Sequence, residues 1–418
     1  MLALLGSQNG FYGKSPSTDA SDEKLLDLAT NMNPTTSVIE TLAKLVAIPS
    51  VNPNYAGGTG ETKISEWIFQ FFRDANIQVE KQPVLPERFN VIAKIPSKND
   101  SRRIIFEAHV DTVSTKGMDI PPYEPTIKNG KLYGRGSCDT KAGLSAMMHA
   151  MLQLSTSHHD ALPEVWFVAT VDEEFSYRGV AEFCKIHSTA DAAIVAEPTE
   201  LRVITASKGL LRFKIITEGI SAHSAKPHLG DNAILQMNQI IQAIQEDTLA
   251  LAKTEHTLLG PATCNIGTIS GGTQINLVPD YCEIEIDRRL LPHESPNGVW
   301  QHYARLLNQL MHHEPTIRAT LLEPLLTDLP LETDSGHQAV RVMSDVLETH
   351  KLSGDPSGVP FCSDASKFGD LGIPAMILGP GCIDQAHAAI EYVDCAQVEK
   401  AVEIYRDFVI HFASHSIR

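Results

Sequence analysis

Cysteine is sparse in this sequence and is not arranged in pairs. The 418 residues contain seven cysteines, and no two of them form a Cys-x-x-Cys pair. Cysteines at that spacing mark many metal and redox sites. An even number of cysteines in a short chain is typical of the disulfide frameworks of small secreted proteins. An odd, unpaired set is typical of free thiols in a reducing compartment.

Long apolar runs and an excess of positive charge are also absent. No stretch approaches the roughly 18 consecutive apolar residues of a transmembrane helix, and the apolar start at residues 1–5 is too short for a secretory signal. Lys and Arg total 34 against 51 Asp and Glu, a formal net charge of −17. Nucleic acids and anionic membranes favour basic surfaces, so neither is an expected partner. The predicted location is the cytoplasm.

Several catalytic motifs are missing as well. There is no Gly-x-Ser-x-Gly elbow of a serine hydrolase, no His-Glu-x-x-His zinc helix and no Gly-x-x-x-x-Gly-Lys phosphate loop. Gly134-Arg-Gly136 alone is not a dinucleotide-binding fingerprint. These absences argue against a serine hydrolase and against the common nucleotide-binding sites.

The length is typical of two or three domains, at about 150 residues per domain. Residues 1–32 are rich in Ser, Asn, Gly and Asp and predict a mobile leader, with Met32 as an alternative start. From residue 33 to 208, helical spacing of apolar residues alternates with apolar runs that are typical of buried strands. The clearest strands are expected at 103–110, 165–171 and 192–196.

The pattern changes over residues 209–326 to the order strand, helix, strand, strand, helix, strand. That βαββαβ order is the signature of a ferredoxin-like α+β unit. Residues 327–418 return to the alternation of helices and buried strands that is predicted for residues 33–208. We therefore predict an α/β fold in which a mixed-sheet domain, with helices on both faces, is interrupted by an inserted ferredoxin-like domain.

Histidine and carboxylate residues cluster where the predicted strands end or where glycine-rich loops follow them. Open α/β sheets place their ligand sites at the carboxyl ends of strands. Two histidines and several carboxylates at that edge suit a pair of divalent cations about 3.5–4 Å apart that share a carboxylate. The candidate residues are His109, Asp111, Asp139, Asp172, Glu173, Glu174, Glu197 and His387.

Each of these residues alone also fits an ordinary structural role. Asp139 could be a helix N-cap, Glu197 a turn residue before proline, and His387 a surface histidine. The acidic triplet at 172–174 could be a solvated loop. Their shared position at one edge of a sheet is what favours a metal site.

The motifs, in this order, resemble those of the two-zinc metallohydrolase family of acetylornithine deacetylase, succinyl-diaminopimelate desuccinylase, aminoacylase and glutamate carboxypeptidase. The resemblance extends over residues 33–415. His109-Val-Asp-Thr-Val and Gly134-Arg-Gly-Ser-Cys-Asp-Thr-Lys-Ala-Gly143 are similar to the two zinc motifs of the family. The triplet at 172–174 is similar to its acidic motif, although Phe175 stands where glycine is usual.

The resemblance implies a role for each site residue. Asp139 would bridge two zinc ions, or two cobalt ions, in sites completed by His109 with Glu197 and by Glu174 with His387. A water that bridges the two ions would lose its proton to the general base. By the same resemblance, Asp111 would orient the histidine ligand His109, and Glu173 would be the general base.

The inserted domain shares in the resemblance. Ser221-Ala-His-Ser-Ala-Lys-Pro227 is similar to the family's lid motif, which implies that His223 reaches the active site of a neighbouring subunit and stabilises the oxyanion. The matching segments at 271–279 and 287–292 imply that Asn276 and Arg289 hold the substrate's carboxylate. The implied assembly is a homodimer formed through this lid domain.

These expectations describe a metal-dependent hydrolase of linear amides that removes an acyl group from an N-acyl amino acid. Acetylornithine and succinyl-diaminopimelate are the leading substrates. Residues 33–208 and 327–418 would form the catalytic domain and 209–326 the lid. Two alternatives remain open: a carboxypeptidase or dipeptidase of the same family, and a non-catalytic dimeric binding protein, against which the intact ligand set and Glu173 argue.

Overall fold

The structure, a computed structural model, describes residues 36–97, 99–157 and 162–414. The predicted leader at 1–32 and the alternative start at Met32 lie outside these residues. None of the helices in the described ranges is both long enough and apolar enough to cross a bilayer. The α-helices are, in chain order, α1 Val38–Ala47, α2 Thr62–Asp74, α3 Lys141–Ser155, α4 Glu173–Ser176, α5 Arg178–Ile186, α6 Ala233–Leu251, α7 Pro296–His313, α8 Gln338–Thr349, α9 Ala365–Asp370 and α10 Cys395–Ser414.

The strands of the same ranges form one large sheet and three smaller ones. They are β1 Gln78–Leu85, β2 Arg88–Ile95, β3 Arg103–His109, β4 Thr126–Lys128, β5 Lys131–Tyr133, β6 Glu164–Thr170, β7 Ala192–Val195, β8 Ile204–Ser207, β9 Gly209–Glu218, β10 Glu255–His256, β11 Gly260–Pro261, β12 Thr263–Gly271, β13 Tyr281–Leu290, β14 Ala319–Leu321, β15 Leu326–Asp328, β16 Leu331–Glu332, β17 Ser357–Val359, β18 Ala375–Ile377 and β19 Tyr392–Asp394.

The large sheet has the spatial order β1-β2-β6-β3-β7-β18-β8-β16, with β17 paired to β8. Its central strands β6, β3, β7 and β18 run parallel to one another, whereas β1, β2 and β16 pair antiparallel. The mixed sheet confirms the predicted α/β class. It also brings the carboxyl ends of four parallel strands to a single edge.

Helices cover both faces of the large sheet. Ile105 of β3 is buried in a cluster with Phe183 of α5 and Phe368 of α9. The next residue, Phe106, contacts Tyr405 of α10, with ring centroids 5.6 Å apart. Successive residues of a strand point to opposite faces, so α5 and α9 lie on one face and α10 on the other. Each face is thereby shielded from water, which accounts for the continuous apolar runs in the central strands.

The second-largest sheet is antiparallel and has the order β12-β13-β9-β14, with β15 also paired to β9. Its elements follow one another along the chain as β9, α6, β12, β13, α7 and β14, with the short β10–β11 pair inserted. This is the sequence of elements predicted for residues 209–326. Its core includes Phe213, Ile240, Ile284 and Tyr303.

Several short strands were not predicted. β4, β5 and β19 form a three-stranded sheet of three residues each, and three residues are too few for an alternating pattern to be recognised. β1 was also missed because it is an edge strand with mostly exposed side chains. These strands depend on pairing with distant parts of the chain rather than on a local pattern.

His149 of α3 gives the first testable prediction. Its ring is 2.8 Å from the Thr41 hydroxyl and packs beside Phe71, and burial lowers its pKa from 6.5 to about 4. Between these pH values the unfolded chain binds a proton that the folded protein does not, so the free energy of unfolding should fall as the pH falls, by on the order of 3 kcal/mol.

The change His149→Gln should flatten this acid dependence because it removes the titrating group and keeps a hydrogen-bonding side chain. Urea titrations at several pH values between 4 and 7 measure the effect. His312→Gln, at an exposed position on α7, serves as the control. An unaltered pH dependence in His149→Gln would contradict the prediction.

Candidate metal centre

The predicted site residues lie together at the carboxyl ends of the parallel strands. His109 is the last residue of β3, and Glu197 follows β7 by two residues. Glu173 and Glu174 begin α4, which starts three residues after the end of β6. His387 lies on the loop after β18. Because these four strands are neighbours in the large sheet, residues far apart in sequence meet at one edge.

Asp139 lies at the centre of this group. It precedes α3 on the loop that begins at Gly134, and its side chain is buried. Its Oδ1 atom is 3.0 Å from Nε2 of His109, and its Oδ2 atom is 3.2 Å from Nε2 of His387. The two oxygens of one carboxylate therefore face two different histidines.

The remaining predicted ligands complete two groups around Asp139. Glu174 places Oε1 3.2 Å from Nε2 of His387, and Glu197 places Oε1 3.8 Å from Nε2 of His109. One ligand atom each of His109, Asp139 and Glu174 lies within 4.8 Å of the others. The structure thus brings together all five residues for which metal ligation was predicted.

Burial and close contacts between charged groups give these residues strongly shifted pKa values. Hydrogen bonds from His109 and His387 outweigh desolvation and hold the pKa of Asp139 well below its ordinary value. Burial alone would lower the pKa of His387, but its hydrogen bonds to Asp139 and Glu174 and their negative charges outweigh burial and raise it to about 11. Burial, together with the charge on Asp139, raises the pKa of Glu197 to about 8. Carboxylates packed this closely without solvent require compensating positive charge.

The donor set fits a pair of divalent metal ions. Imidazole nitrogen and carboxylate oxygen are the donors found in catalytic zinc sites. A carboxylate whose oxygens face different histidines has the arrangement needed to be shared between two ions, and the cations would supply the charge that the buried carboxylates lack. The described residues therefore suit the two-metal site that the sequence predicted.

Asp111 holds the acidic loop in place. Its carboxylate accepts hydrogen bonds from Nδ2 of Asn52 at 2.8 Å and from the backbone N–H groups of Glu173 at 3.1 Å and Glu174 at 3.2 Å. Nδ1 of His109 lies 3.0 Å from the backbone oxygen of Asp111 and 3.6 Å from its Oδ1. The backbone oxygen of Asp111 is thus the nearer partner of the histidine. Asn52 was not predicted, since no pattern in the sequence marks it.

Asp172, the first residue of the acidic triplet, points away from the cluster. Its carboxylate accepts from Asn52 at 3.0 Å, from Arg88 at 2.8 Å and from Nη2 of Arg178 at 3.0 Å. These contacts hold the pKa of Asp172 at about 2 even though burial opposes ionisation. The triplet therefore divides into one anchoring carboxylate and two that face the site.

Glu391 is a further residue that the sequence analysis missed. It is fully buried, and its carboxylate accepts from Nη1 of Arg135 at 2.6 Å and from the backbone N–H groups of Gly136 at 3.0 Å, Cys138 at 2.9 Å and Asp139 at 3.1 Å. It thereby ties the loop that carries Asp139 to the segment that follows His387. In the sequence Glu391 stands out only by lying four residues after His387, and that spacing alone does not predict a structural or catalytic role.

A cavity of about 310 Å³ opens in front of the cluster. It is lined by Asp139, Glu173, Glu174, Glu197 and His387 and, from the second-largest sheet, by Arg289. Glu173 places Oε2 4.0 Å from Nε2 of His109, and burial, together with the charge on Glu197, raises its pKa well above the ordinary value. A carboxylate of raised pKa beside a cavity is a good proton acceptor and donor near neutral pH.

His223 and Asn276 do not line this cavity, as far as the described residues define it. They lie beside each other in the segments that follow β9 and β12, where His223 forms an isolated β-bridge with Leu277 and the N–H of Ser224 donates to the backbone oxygen of Asn276 at 3.0 Å. Both are exposed. Of the three residues predicted on the inserted domain, the structure brings only Arg289 to the candidate site.

Known proteins resemble this chain over most of its length. A family model, Peptidase family M20/M25/M40, matches residues 105–411. The acetylornithine deacetylase of Klebsiella pneumoniae (strain 342) is 30% identical over 388 residues, which are 90% of this chain and 98% of that protein.

Two solved structures show a similar fold. A tripeptidase from Staphylococcus aureus superposes with a TM-score of 0.75 at 20% identity, covering 90% of this chain and 98% of that chain. A dinuclear metal-binding peptidase of the M20 family from Bacillus subtilis superposes with a TM-score of 0.68 at 16% identity, covering 89% and 96%.

The family match includes the segments that carry His109, Asp139, Glu174, Glu197 and His387. The resemblance predicted from the sequence is therefore confirmed. The chain belongs to Peptidase family M20/M25/M40 and is a hydrolase that acts on amides.

Proposed function

We propose that the protein is a zinc-dependent amidohydrolase that removes an acyl group from an N-acyl amino acid, of the acetylornithine deacetylase or succinyl-diaminopimelate desuccinylase type. The observation that carries the proposal is Asp139, whose two carboxylate oxygens face His109 and His387 at 3.0 and 3.2 Å. The name of the Klebsiella relative supports the deacylase activity.

In this proposal the chain holds two Zn²⁺ ions, or two Co²⁺ ions, through five ligands. Bound ions of this kind polarise the substrate's carbonyl and lower the pKa of a water molecule. Asp139 would be shared between them, because its oxygens face the two groups separately. The other ligands would be His109 and Glu197 on one side and Glu174 and His387 on the other.

Glu173 would act as the general base. Its carboxylate lines the cavity and lies 4.0 Å from His109, and its raised pKa allows it to keep a proton after taking one from water. It would then pass that proton to the leaving amine, so that one carboxylate serves both steps. Arg289, which also lines the cavity, would hold the substrate's carboxylate, with Asn276 assisting after domain closure.

Residues 209–326 would form a ferredoxin-like lid between the two parts of the catalytic domain, 33–208 and 327–418, and would pair two subunits. The strand order of the second-largest sheet and its helices α6 and α7 support the ferredoxin-like form. The pairing is supported by large apolar side chains exposed on this segment, since such groups are enriched at interfaces. They include Ile220, Leu229, Leu235, Ile269 and Ile275. All seven cysteines are free thiols, which supports a cytoplasmic location.

A homodimer gives exposed His223 a role at the partner's active site, where it would stabilise the oxyanion. His223→Ala should then lower kcat by about 10²–10³ while zinc content stays unchanged. Mixed dimers of His223→Ala chains with Asp139→Ala chains should regain activity in one of their two sites, because the metal-containing chain receives His223 from its partner. Activity of purified hybrids measures this, and inactive hybrids would contradict action between subunits.

The peptidase alternative is kept because the matched family model is described as a peptidase family and because apolar side chains line the cavity, among them Phe175, Leu210 and Phe361. A release assay after loading with zinc or cobalt separates the candidates, with N-acetylornithine, N-succinyl-diaminopimelate, other N-acyl amino acids and dipeptides as substrates. Hydrolysis of the N-acyl amino acids supports the proposal, and hydrolysis of peptides alone supports the alternative. Inactivity on all of them, with less than one ion bound per chain, would favour the non-catalytic binding protein.

A further inference from the structure

Two arginines from the second-largest sheet line the cavity of the candidate metal centre. Arg212 lies on β9 and Arg289 on the neighbouring strand β13. They are joined by Asp287, whose carboxylate accepts from Nε of Arg212 at 2.9 Å and from Nε of Arg289 at 2.7 Å. Arg212 and Asp287 are directly opposite in the strand register.

This triad leaves positive charge on one wall of the cavity, because two guanidinium groups share a single carboxylate. Among the described residues that line the cavity, the acidic ones are Asp139, Glu173, Glu174 and Glu197, and the proposed function uses all four at the metal centre. A cationic substrate side chain would therefore be repelled by the two arginines and would find no carboxylate of the cavity free to pair with it. An anionic group is attracted to the same wall.

Arg212 is available to such a group. Its hydrogen bond within the described part of the chain uses only Nε, and 47% of its side-chain surface is exposed. The terminal nitrogens of a guanidinium form a planar fork that matches a carboxylate. Since the proposed function assigns Arg289 to one carboxylate of the substrate, Arg212 is able to bind a second carboxylate.

We infer that Arg212 is a specificity-determining residue that binds a second carboxylate, so that the preferred substrates are N-acyl amino acids with two carboxylates. The second carboxylate belongs either to the side chain of the amino acid or to a dicarboxylic acyl group, since both present the same chemistry to Arg212. The inference rests on the proposed function and narrows its substrate class: of the two types named there, it disfavours acetylornithine deacetylase.

Matched substrates test it on the zinc-loaded enzyme. N-acetylglutamate against N-acetylglutamine examines the side chain, N-succinylalanine against N-butanoylalanine examines the acyl group, and N-acetylornithine is the cationic probe. We expect kcat/KM to favour the dicarboxylate about tenfold in at least one pair and to be lowest for N-acetylornithine. A preference for N-acetylornithine, or no preference in either pair, would overturn the inference and leave the hydrolase proposal standing.

Variants then assign the preference to the residue. Arg212→Gln should reduce the dicarboxylate preference about tenfold. Arg212→Lys keeps the charge but not the planar fork, so its preference should lie between those of the wild type and Arg212→Gln. Arg318→Gln is the matched control: Arg318, directly before β14, is paired to Asp231 with 45% of its side chain exposed and is not among the described residues that line the cavity. An unchanged preference in Arg212→Gln, or an equal loss in Arg318→Gln, would refute the assignment.

A binding measurement separates this inference from the proposed function. Calorimetric titration of the zinc-loaded protein with glutamate and with glutamine requires no turnover. If no substrate is hydrolysed, the proposed function fails, and tighter binding of glutamate that is lost in Arg212→Gln would still support the role of Arg212. Equal binding of the two amino acids would refute it.

Discussion

Replacing Glu173 with alanine should lower kcat by about 10²–10⁴, the usual contribution of a general acid–base group, while the protein keeps its metal. Four acidic residues line the cavity in the described part of the chain, and the proposal uses Asp139, Glu174 and Glu197 as ligands, so Glu173 is the carboxylate left free. Its own nearest ionic contact, to His109, is 4.0 Å long. Loss of its side chain therefore removes a proton carrier and leaves the ligands in place.

Two measurements on the same preparation test this expectation. Elemental analysis gives the zinc bound per chain, and kcat is determined at saturating substrate. Glu173→Gln keeps the shape of the side chain and should be as slow as the alanine variant, because an amide cannot carry the proton. Glu399→Gln, at an exposed position on α10, should behave as wild type. Loss of zinc in the Glu173 variants would show that this residue is a ligand rather than a base.

The site was predictable to the extent that strand ends are visible in the sequence. The central strands are buried on both faces, so they appear as continuous apolar runs, and the residues after each run are His109, Glu173, Glu174 and Glu197. Parallel pairing then brings them together without any further information. His387 was predicted by the same reasoning, because it lies on the loop after the apolar run that forms β18.

Residues that act through tertiary contacts were not predictable in this way. Asn52, Arg212 and Glu391 contact residues 59, 75 and more than 250 positions away, and such contacts leave no local pattern. The two motifs that contain His223 and Asn276 were recognised, but the structure places both residues away from the cavity of their own chain, as far as the described residues define it. Recognition of a motif identifies a segment, whereas its position depends on packing between elements and, in our proposal, between subunits.

The other large effect is expected at Glu391. Its carboxylate accepts hydrogen bonds from Arg135 and from three backbone N–H groups, the last being that of Asp139. In Glu391→Gln one acceptor oxygen becomes an N–H₂ donor that faces other donors, and the guanidinium of Arg135, 3% exposed, loses its countercharge. Breaking a buried ion pair in this way costs about 3–5 kcal/mol. Because the same carboxylate positions Asp139, zinc affinity should also fall, by about 10–100-fold.

The matched control for this variant is Glu294→Gln. Glu294 likewise accepts from a buried arginine, Arg288 at 2.5 Å, and from a backbone N–H, that of Leu291 at 2.8 Å, but it lies in the segment between β13 and α7. Both variants should unfold at lower urea concentration when measured in the presence of a chelator. Only Glu391→Gln should lose zinc affinity in a chelator competition, since only its carboxylate is bonded to the loop of a proposed ligand. Equal zinc affinities in the two variants would mean that Glu391 stabilises the fold without positioning Asp139.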